Sequence, residues 1–208
     1  MADELIFYTN PMSRGRLVRW ILEEVSQPYR TEILDYDTTM KAPAYLAINP
    51  MGKVPALRHG DAIVTECAAI CAYLADAFPA TGLAPPPGDR LRGPYYRWLF
   101  FGAGPVEQAW TNQAMGFAVP PDKERIAGYG NFAKVMDVLE QAVSRGPYLV
   151  GSAFTAADLY IGSHLGFGMQ FGMTEKRPAF ERYVARLMSR PAAVRARELD
   201  EALIAKTA

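Results

Sequence analysis

The sequence predicts an α/β domain over residues 1–79, a proline-rich linker over 80–89 and an all-helical domain over 90–208. Three observations predict it. Apolar runs and amphipathic stretches succeed one another up to Phe78 in the order β-α-β-α-β-β-α. Pro79-Ala80-Thr81-Gly82 and Ala84-Pro85-Pro86-Pro87-Gly88 then forbid a continuing helix and hold a stiff extended connection. Beyond that connection no strand alternation appears, and the chain reads as helices to its end.

Leu5-Ile6-Phe7-Tyr8 is a buried first strand that runs into a turn at Thr9-Asn10-Pro11. Leu17, Val18, Trp20, Ile21, Leu22 and Val25 recur at helical spacing until Ser26-Gln27-Pro28 stops them. Tyr29 to Leu34 alternates as a second strand, and Lys41 to Leu46 forms a short helix. A strand carrying Val54-Pro55, a turn at Gly60-Asp61, a strand Ala62–Val64 and a helix opening at Thr65-Glu66 follow. Strand, helix and strand in succession demand a right-handed parallel crossover, while the Gly60-Asp61 turn makes the last two strands antiparallel. The result is a mixed four-stranded sheet with helices on both faces, which resembles a thioredoxin fold.

In the second half, Arg90 to Met115 is an aromatic-rich helix with a bend at Gly102-Ala103-Gly104-Pro105. Pro120-Pro121-Asp122 starts a helix expected to run to Ser144, with Ile126, Phe132, Val135, Met136, Leu139 and Val143 as its buried stripe. Phe154-Thr155-Ala156-Ala157-Asp158-Leu159 is a helix-start signal in which Thr155 caps and Asp158 reaches back to the cap amide. Pro178–Met188 and Pro191–Leu203 read as two shorter helices.

The 208 residues carry no net charge, which argues against nucleic acid as a partner, because polyanion binders need a basic surplus. No stretch approaches the ~18 uninterrupted apolar residues of a membrane span, and MADELIFY has neither a basic n-region nor an apolar h-region. Cys67 and Cys71, four apart, match no redox or zinc spacing, so the sequence predicts a reduced cytoplasmic protein without a metal. His59 and His164 are isolated and read as structural.

The stretch Ile48–Ile70, INPMGKVPALRHGDAIVTECAAI, carries the binding chemistry. A proline at the head of a strand donates no ladder hydrogen bond, and the Val54-Pro55 step fits an edge or a cis peptide. Either way the Val54 amide and carbonyl face outward, where an extended peptide can pair with them. The amides of Glu66 and Cys67 at a helix start can hold a carboxylate of the same ligand. The alternative is an ordinary hairpin capped by Thr65.

The pattern N-P-x-G-K-V-P-A-L followed by T-E-C-A-A-I resembles the glutathione-binding half of the cytosolic glutathione transferases, of a bacterial type with an N-P-M-S segment. The Thr155/Asp158 start matches the capping motif of that family's second domain. The resemblance implies a glutathione transferase fold, with a thioredoxin-like first domain and an all-helical second one. It also implies glutathione as co-substrate, no permanently bound cofactor, a homodimer and a role in detoxification. By the resemblance, Pro55 is cis, Val54 pairs with the cysteinyl main chain, and Glu66 and Cys67 take the γ-glutamyl end. The family has serine where this chain has Cys67, which removes a hydroxyl donor and keeps the backbone amide. Lys53 suits the glycine carboxylate, or is a solvated loop lysine.

A free thiol near pKa 8.5 is only a few per cent ionised at neutral pH, and lowering it by about two units needs roughly 2.7 kcal/mol of anion stabilisation. One hydrogen bond to the thiolate together with a helix N-terminus nearly suffices. The stretch Tyr8 to Arg16 supplies the donor. Ser13 ranks first and Asn10 second, ahead of Tyr8 or a backbone amide. The family tyrosine falls on Asn10, so the chain departs from that pattern. Asn10 also fits a helix cap with Pro11 at the first helical position, and Ser13 also fits a solvated first turn. Arg16 adds positive potential or forms a surface ion pair, and Cys71 reads as buried packing.

Met12, Trp98, Phe101, Trp110, Met115 and Phe117 are candidates to line a pocket for an apolar electrophile, or else belong to the core. The expected activity is conjugation of the glutathione thiolate to that electrophile. The alternatives are glutathione-dependent isomerisation or peroxide reduction, and a non-catalytic binding module, because fold alone does not fix activity.

Overall fold

The computed structural model describes residues 3–206 and divides into two compact units, Met1–Thr81 with Ser189–Ala208, and Gly82–Met188. In the first, β1 (Leu5–Thr9), α1 (Gly15–Val25), β2 (Tyr29–Ile33), α2 (Pro43–Leu46), β3 (Ala56–His59), β4 (Ala62–Thr65) and α3 (Cys67–Ala77) follow in the expected order. The sheet order is β2-β1-β3-β4, with β1 parallel to β2 and antiparallel to β3, and β3 antiparallel to β4. The crossover and the hairpin at Gly60-Asp61 impose this mixed arrangement.

β1 reads as a continuous apolar run because both of its faces are covered. Ile6 and Tyr8 pack with Met40, Tyr45 and Ala56 on the α2 side. Phe7 points the other way, its ring centroid 5.2 Å from the Arg19 guanidinium of α1. Gly15 lets α1 begin directly over the end of β1, where a Cβ would collide with the Thr9 hydroxyl.

The second unit contains α4 (Arg92–Phe101), α5 (Glu107–Ala114), α6 (Phe132–Ser144), α7 (Ala156–Gln170) and α8 (Pro178–Met188). The expected bend is a π-helical stretch, Gly102–Val106, joining α4 to α5. Pro105 has no N–H to donate and would clash with the carbonyl four residues back, and a wider turn relieves both faults. Gly102 is required there, because a Cβ would lie 2.6 Å from Cε1 of Tyr160.

The helix expected from Pro120 to Ser144 is corrected. Residues Pro121–Lys123 make one 3-10 turn, Gly130 adopts φ +73°, and α6 starts at Phe132 with Asn131 accepting the Lys134 N–H at 2.9 Å. Ile126, assigned to the buried stripe, is 78% exposed, while Val135, Met136, Leu139 and Val143 are buried. Gly128 and Gly130 interrupt the pattern, and the asparagine after them is the true cap.

Asp158 anchors the start of α7. Its carboxylate accepts the Thr155 N–H at 2.9 Å, the Thr155 hydroxyl at 2.9 Å, the Leu149 N–H at 2.7 Å and the Tyr183 hydroxyl at 2.7 Å. Burial raises its pKa and the donors oppose that rise. His164 is held at both ring nitrogens, by the Tyr160 carbonyl at 2.8 Å and Glu107 at 2.7 Å.

The last helix, α9 (Pro191–Ala205), which the sequence grouped with residues 90–208, clusters with the first unit and packs on α1. Its Asp200 accepts the Arg19 Nε–H at 2.7 Å, both side chains being buried. Arg19 Nη1 also donates to Tyr29 Oη at 3.2 Å and to Thr31 Oγ1 at 3.3 Å on β2. Removing one partner of a buried pair leaves the other charge uncompensated, whereas apolar replacement of both is often neutral. Asp200→Ala should therefore lose about 3–5 kcal/mol in urea unfolding, and Arg19→Met/Asp200→Leu should recover most of that loss.

Candidate functional site

The segment 49–55 is fixed by its own polar contacts. Asn49 Oδ1 accepts the Met51 N–H at 3.1 Å, and the Gly52 N–H donates to the Asn49 carbonyl at 2.8 Å with Gly52 at φ +57°. The Lys53 carbonyl accepts the Tyr45 hydroxyl at 2.6 Å and the Asn49 Nδ2–H at 2.8 Å, while Lys41 Nζ donates to the Gly52 carbonyl at 2.8 Å. Burial pushes the Tyr45 phenol up to about 12, so it stays a donor. Tyr45, Asn49 and Lys41 were not singled out from the sequence, although N-P-M-G carries the side-chain turn signal. The Val54–Pro55 peptide is cis, and Val54 stands ahead of a β3 ladder that begins at Ala56. The Lys53 side chain is exposed.

Two helix N-termini meet beside this segment. The Cys67 thiol, at the first residue of α3, points at the carbonyl of Arg14, the cap residue of α1, at 3.9 Å. Each helix start is the positive end of a helix dipole, and here two are adjacent, although the Gly15, Arg16 and Leu17 amides of α1 already donate within its first turn. Glu66 sits at φ 68°, ψ 123°, a backbone conformation that costs a non-glycine residue about 1–3 kcal/mol and clusters at ligand clamps. Its side chain makes no capping bond to α3 and is exposed. Burial pushes the Cys67 thiol up to about 12, and Arg14 opposes that shift. Burial likewise raises Cys71, which is fully enclosed.

Asn10 and Ser13 close the turn before α1. Asn10 Nδ2 donates to the Leu34 carbonyl at 2.8 Å and its Oδ1 accepts the Met12 N–H at 2.9 Å. The Ser13 hydroxyl donates to the Asn10 carbonyl at 2.7 Å and accepts the Gly15 N–H at 2.9 Å. Asn10 is only 9% exposed, and Ser13 is half-buried. Tyr36, a residue the sequence reading passed over, donates to the Met12 carbonyl at 3.3 Å. Burial raises its phenol, and Ser13 opposes that shift. Nothing in the sequence flagged Tyr36, because it lies in an irregular loop.

The apolar candidates divide by exposure. Met12, in the first unit, is 70% exposed, and in the second unit Met115 and Phe117 are 59% and 64% exposed beyond α5. Phe101 is half-buried edge-on to Trp98. Trp98 and Trp110 are buried, and Trp110 abuts Gly168, where a Cβ would lie 2.6 Å from its ring. Both indoles therefore belong to the helical core. Among the described residues no group of three or more His, Cys, Asp or Glu could hold a metal ion, and no helix is long and apolar enough to cross a membrane.

The family model for the glutathione S-transferase N-terminal domain matches residues 7–86, and that for the C-terminal domain matches residues 112–191. A probable glutathione S-transferase, GSTF2 of Oryza sativa subsp. japonica, is 30% identical over 173 residues, covering 78% of either chain. Elongation factor 1-gamma of Prunus avium is 31% identical over 164 residues, covering 74% of this chain and 38% of the relative. The chain thus spans well under half the length of that relative, and 62% of glutathione S-transferase 3 of Zea mays. Among solved structures, the glutathione transferase URE2P6 of Phanerochaete chrysosporium, in complex with oxidized glutathione, superposes with a TM-score of 0.78 at 28% identity, covering 96% of this chain and 97% of that one. Both halves of the chain and its fold agree, and the chain belongs to the glutathione S-transferase family.

Proposed function

We propose that the chain binds glutathione in its first unit, stabilises the thiolate and transfers it to an apolar electrophile. The meeting of two helix N-termini at Arg14 and Cys67, beside a Val54 that lies outside the sheet ladder, is the observation that carries this reading. An extended peptide with one carboxylate at each end suits that arrangement. Val54 would pair with its cysteinyl main chain ahead of Pro55, Glu66 would take the α-amino group, the Cys67 amide the γ-glutamyl carboxylate, and Lys53 the glycine carboxylate.

Ser13 is the thiolate donor in this reading. Its hydroxyl is committed to the Asn10 carbonyl, so it must turn toward the sulfur, giving up a neutral bond of about 1 kcal/mol for a charge-assisted one of about 1.5–3 kcal/mol. The net gain lowers the thiol pKa by about one unit, and the helix starts add to it. Asn10, less exposed and held on both amide atoms, ranks behind it. Tyr36 holds the same turn by donating to the Met12 carbonyl. In the second unit Phe101, Met115 and Phe117 are the apolar side chains proposed for the electrophile, with Trp98 and Trp110 in the helical core, and Met12 is the exposed apolar candidate of the first unit. A cytoplasmic homodimer without a resident cofactor completes the reading.

A second reading, a non-catalytic glutathione-binding module, is favoured by the elongation factor relative and by the occupied Ser13 hydroxyl. Calorimetric titration with glutathione and S-methylglutathione, with thiolate absorbance followed against pH, separates the two. The wild type should bind both and hold the bound thiol about one to two units below its free pKa, and Ser13→Ala should bind within about threefold but return about one unit. Binding with an unshifted thiol in the wild type would remove conjugation and keep the module; absence of binding would remove both.

Cys67 and Cys71 are not nucleophiles in either reading. With its thiol near 12, Cys67 is about one part in ten thousand thiolate at pH 8, against about a quarter for a free cysteine. Native protein should react with a disulfide reagent about a thousandfold more slowly than free cysteine, and both thiols should react at once in urea. Rapid labelling of the native protein would show Cys67 to be an available thiolate.

A further inference from the structure

The helical unit contains a hollow of about 560 Å³ within the Gly82–Met188 segment, bordered by Pro94, Arg97, Trp98, Arg145, Tyr148 and Leu149. That volume suits a small ligand. Arg97 comes from α4, and Arg145 follows the last residue of α6. The Arg97 guanidinium carbon lies 3.6 Å from the centre of the buried Trp98 ring, which gives it a fixed wall. Among the described residues neither guanidinium has a carboxylate or any other hydrogen-bonding partner, in contrast to Arg177, which binds three carboxylates. Partial burial, and then the like charge of Arg145, pull Arg97 below the ordinary arginine range. Two cations held together without a counter-charge repel one another until an anion joins them.

We propose that this hollow binds a small phosphate monoester. A terminal phosphate carries a charge of about −1.5 to −2 and three acceptor oxygens, so one group fills both guanidinium forks, whereas a carboxylate fills one. Pro94, Tyr148 and Leu149 also line the hollow and leave room for the rest of the ester. The site is independent of the glutathione reading, because every residue that builds it lies in the second unit.

Titration of the full chain with phenyl phosphate, by calorimetry and by phosphorus NMR, tests the assignment. One saturable site, weakened by added salt, is expected in the wild type. Arg97→Gln and Arg145→Gln should each weaken it about tenfold or more, with thermal unfolding and glutathione titration unchanged. Should Arg97→Gln fail to fold, Arg145→Gln, at the exposed end of its helix, carries the test by itself. Three results would overturn the proposal: no saturation up to about 10 mM, phenol binding as tightly as phenyl phosphate, or wild-type affinity in Arg145→Gln. A variant that shifts the sedimentation coefficient instead of the phosphate affinity would show the hollow to be a contact between copies, and would equally end it.

Discussion

A guanidinium enclosed by protein on every side sets the frame of the first unit. Arg19 stands in the middle of α1, with the Phe7 ring beneath it, two β2 hydroxyls beside it and the Asp200 carboxylate above it. A buried charge tolerates no misplacement of its partner, so this one interaction registers α1 on the sheet and α9 on α1. The start of α1 supplies the Asn10–Gly15 turn and the Arg14 carbonyl that meets Cys67. The candidate site thus inherits its position from a buried ion pair.

The site itself is built mainly from the backbone. Tyr45, Asn49 and Lys41 spend their side chains on the carbonyls of Gly52 and Lys53, and Asn10 and Ser13 spend theirs on the turn before α1. Among the candidate residues of the first unit, Met12, Lys53 and a strained Glu66 remain exposed. The proposed glutathione site therefore relies on the main chain, and not on the tyrosine that the family resemblance leads one to expect near Asn10. Cys67 in the place of a serine follows the same logic, since its sulfur faces a carbonyl and its amide still opens a helix.

Most of the fold was legible because its signals are local. The apolar run Leu5–Tyr8, the stripe from Leu17 to Val25, the turn at Gly60-Asp61 and the Thr155/Asp158 cap each lie within one turn or one strand of their effect. The segment after Pro120 was misread for the same local reason: Pro120-Pro121-Asp122 looks like a helix start, and the periodicity of Val135–Val143 was extended back to it across Gly128 and Gly130. The pairing of Arg19 with Asp200 spans 181 residues and has no local trace. Tyr36 escaped notice because an irregular loop has no period to violate. Pattern marks Trp98 and Trp110 as apolar but cannot say on which side of a helix the solvent lies.

The place of α9 bears on how the molecule is made. A ribosome delivers Asp200 181 residues after Arg19, so over that stretch of elongation the guanidinium of α1 must remain hydrated. The α/β unit is consequently the one that cannot finish until Asp200 has left the ribosome. The helical half, whose determinants all lie between residues 82 and 188, is free to fold ahead of it.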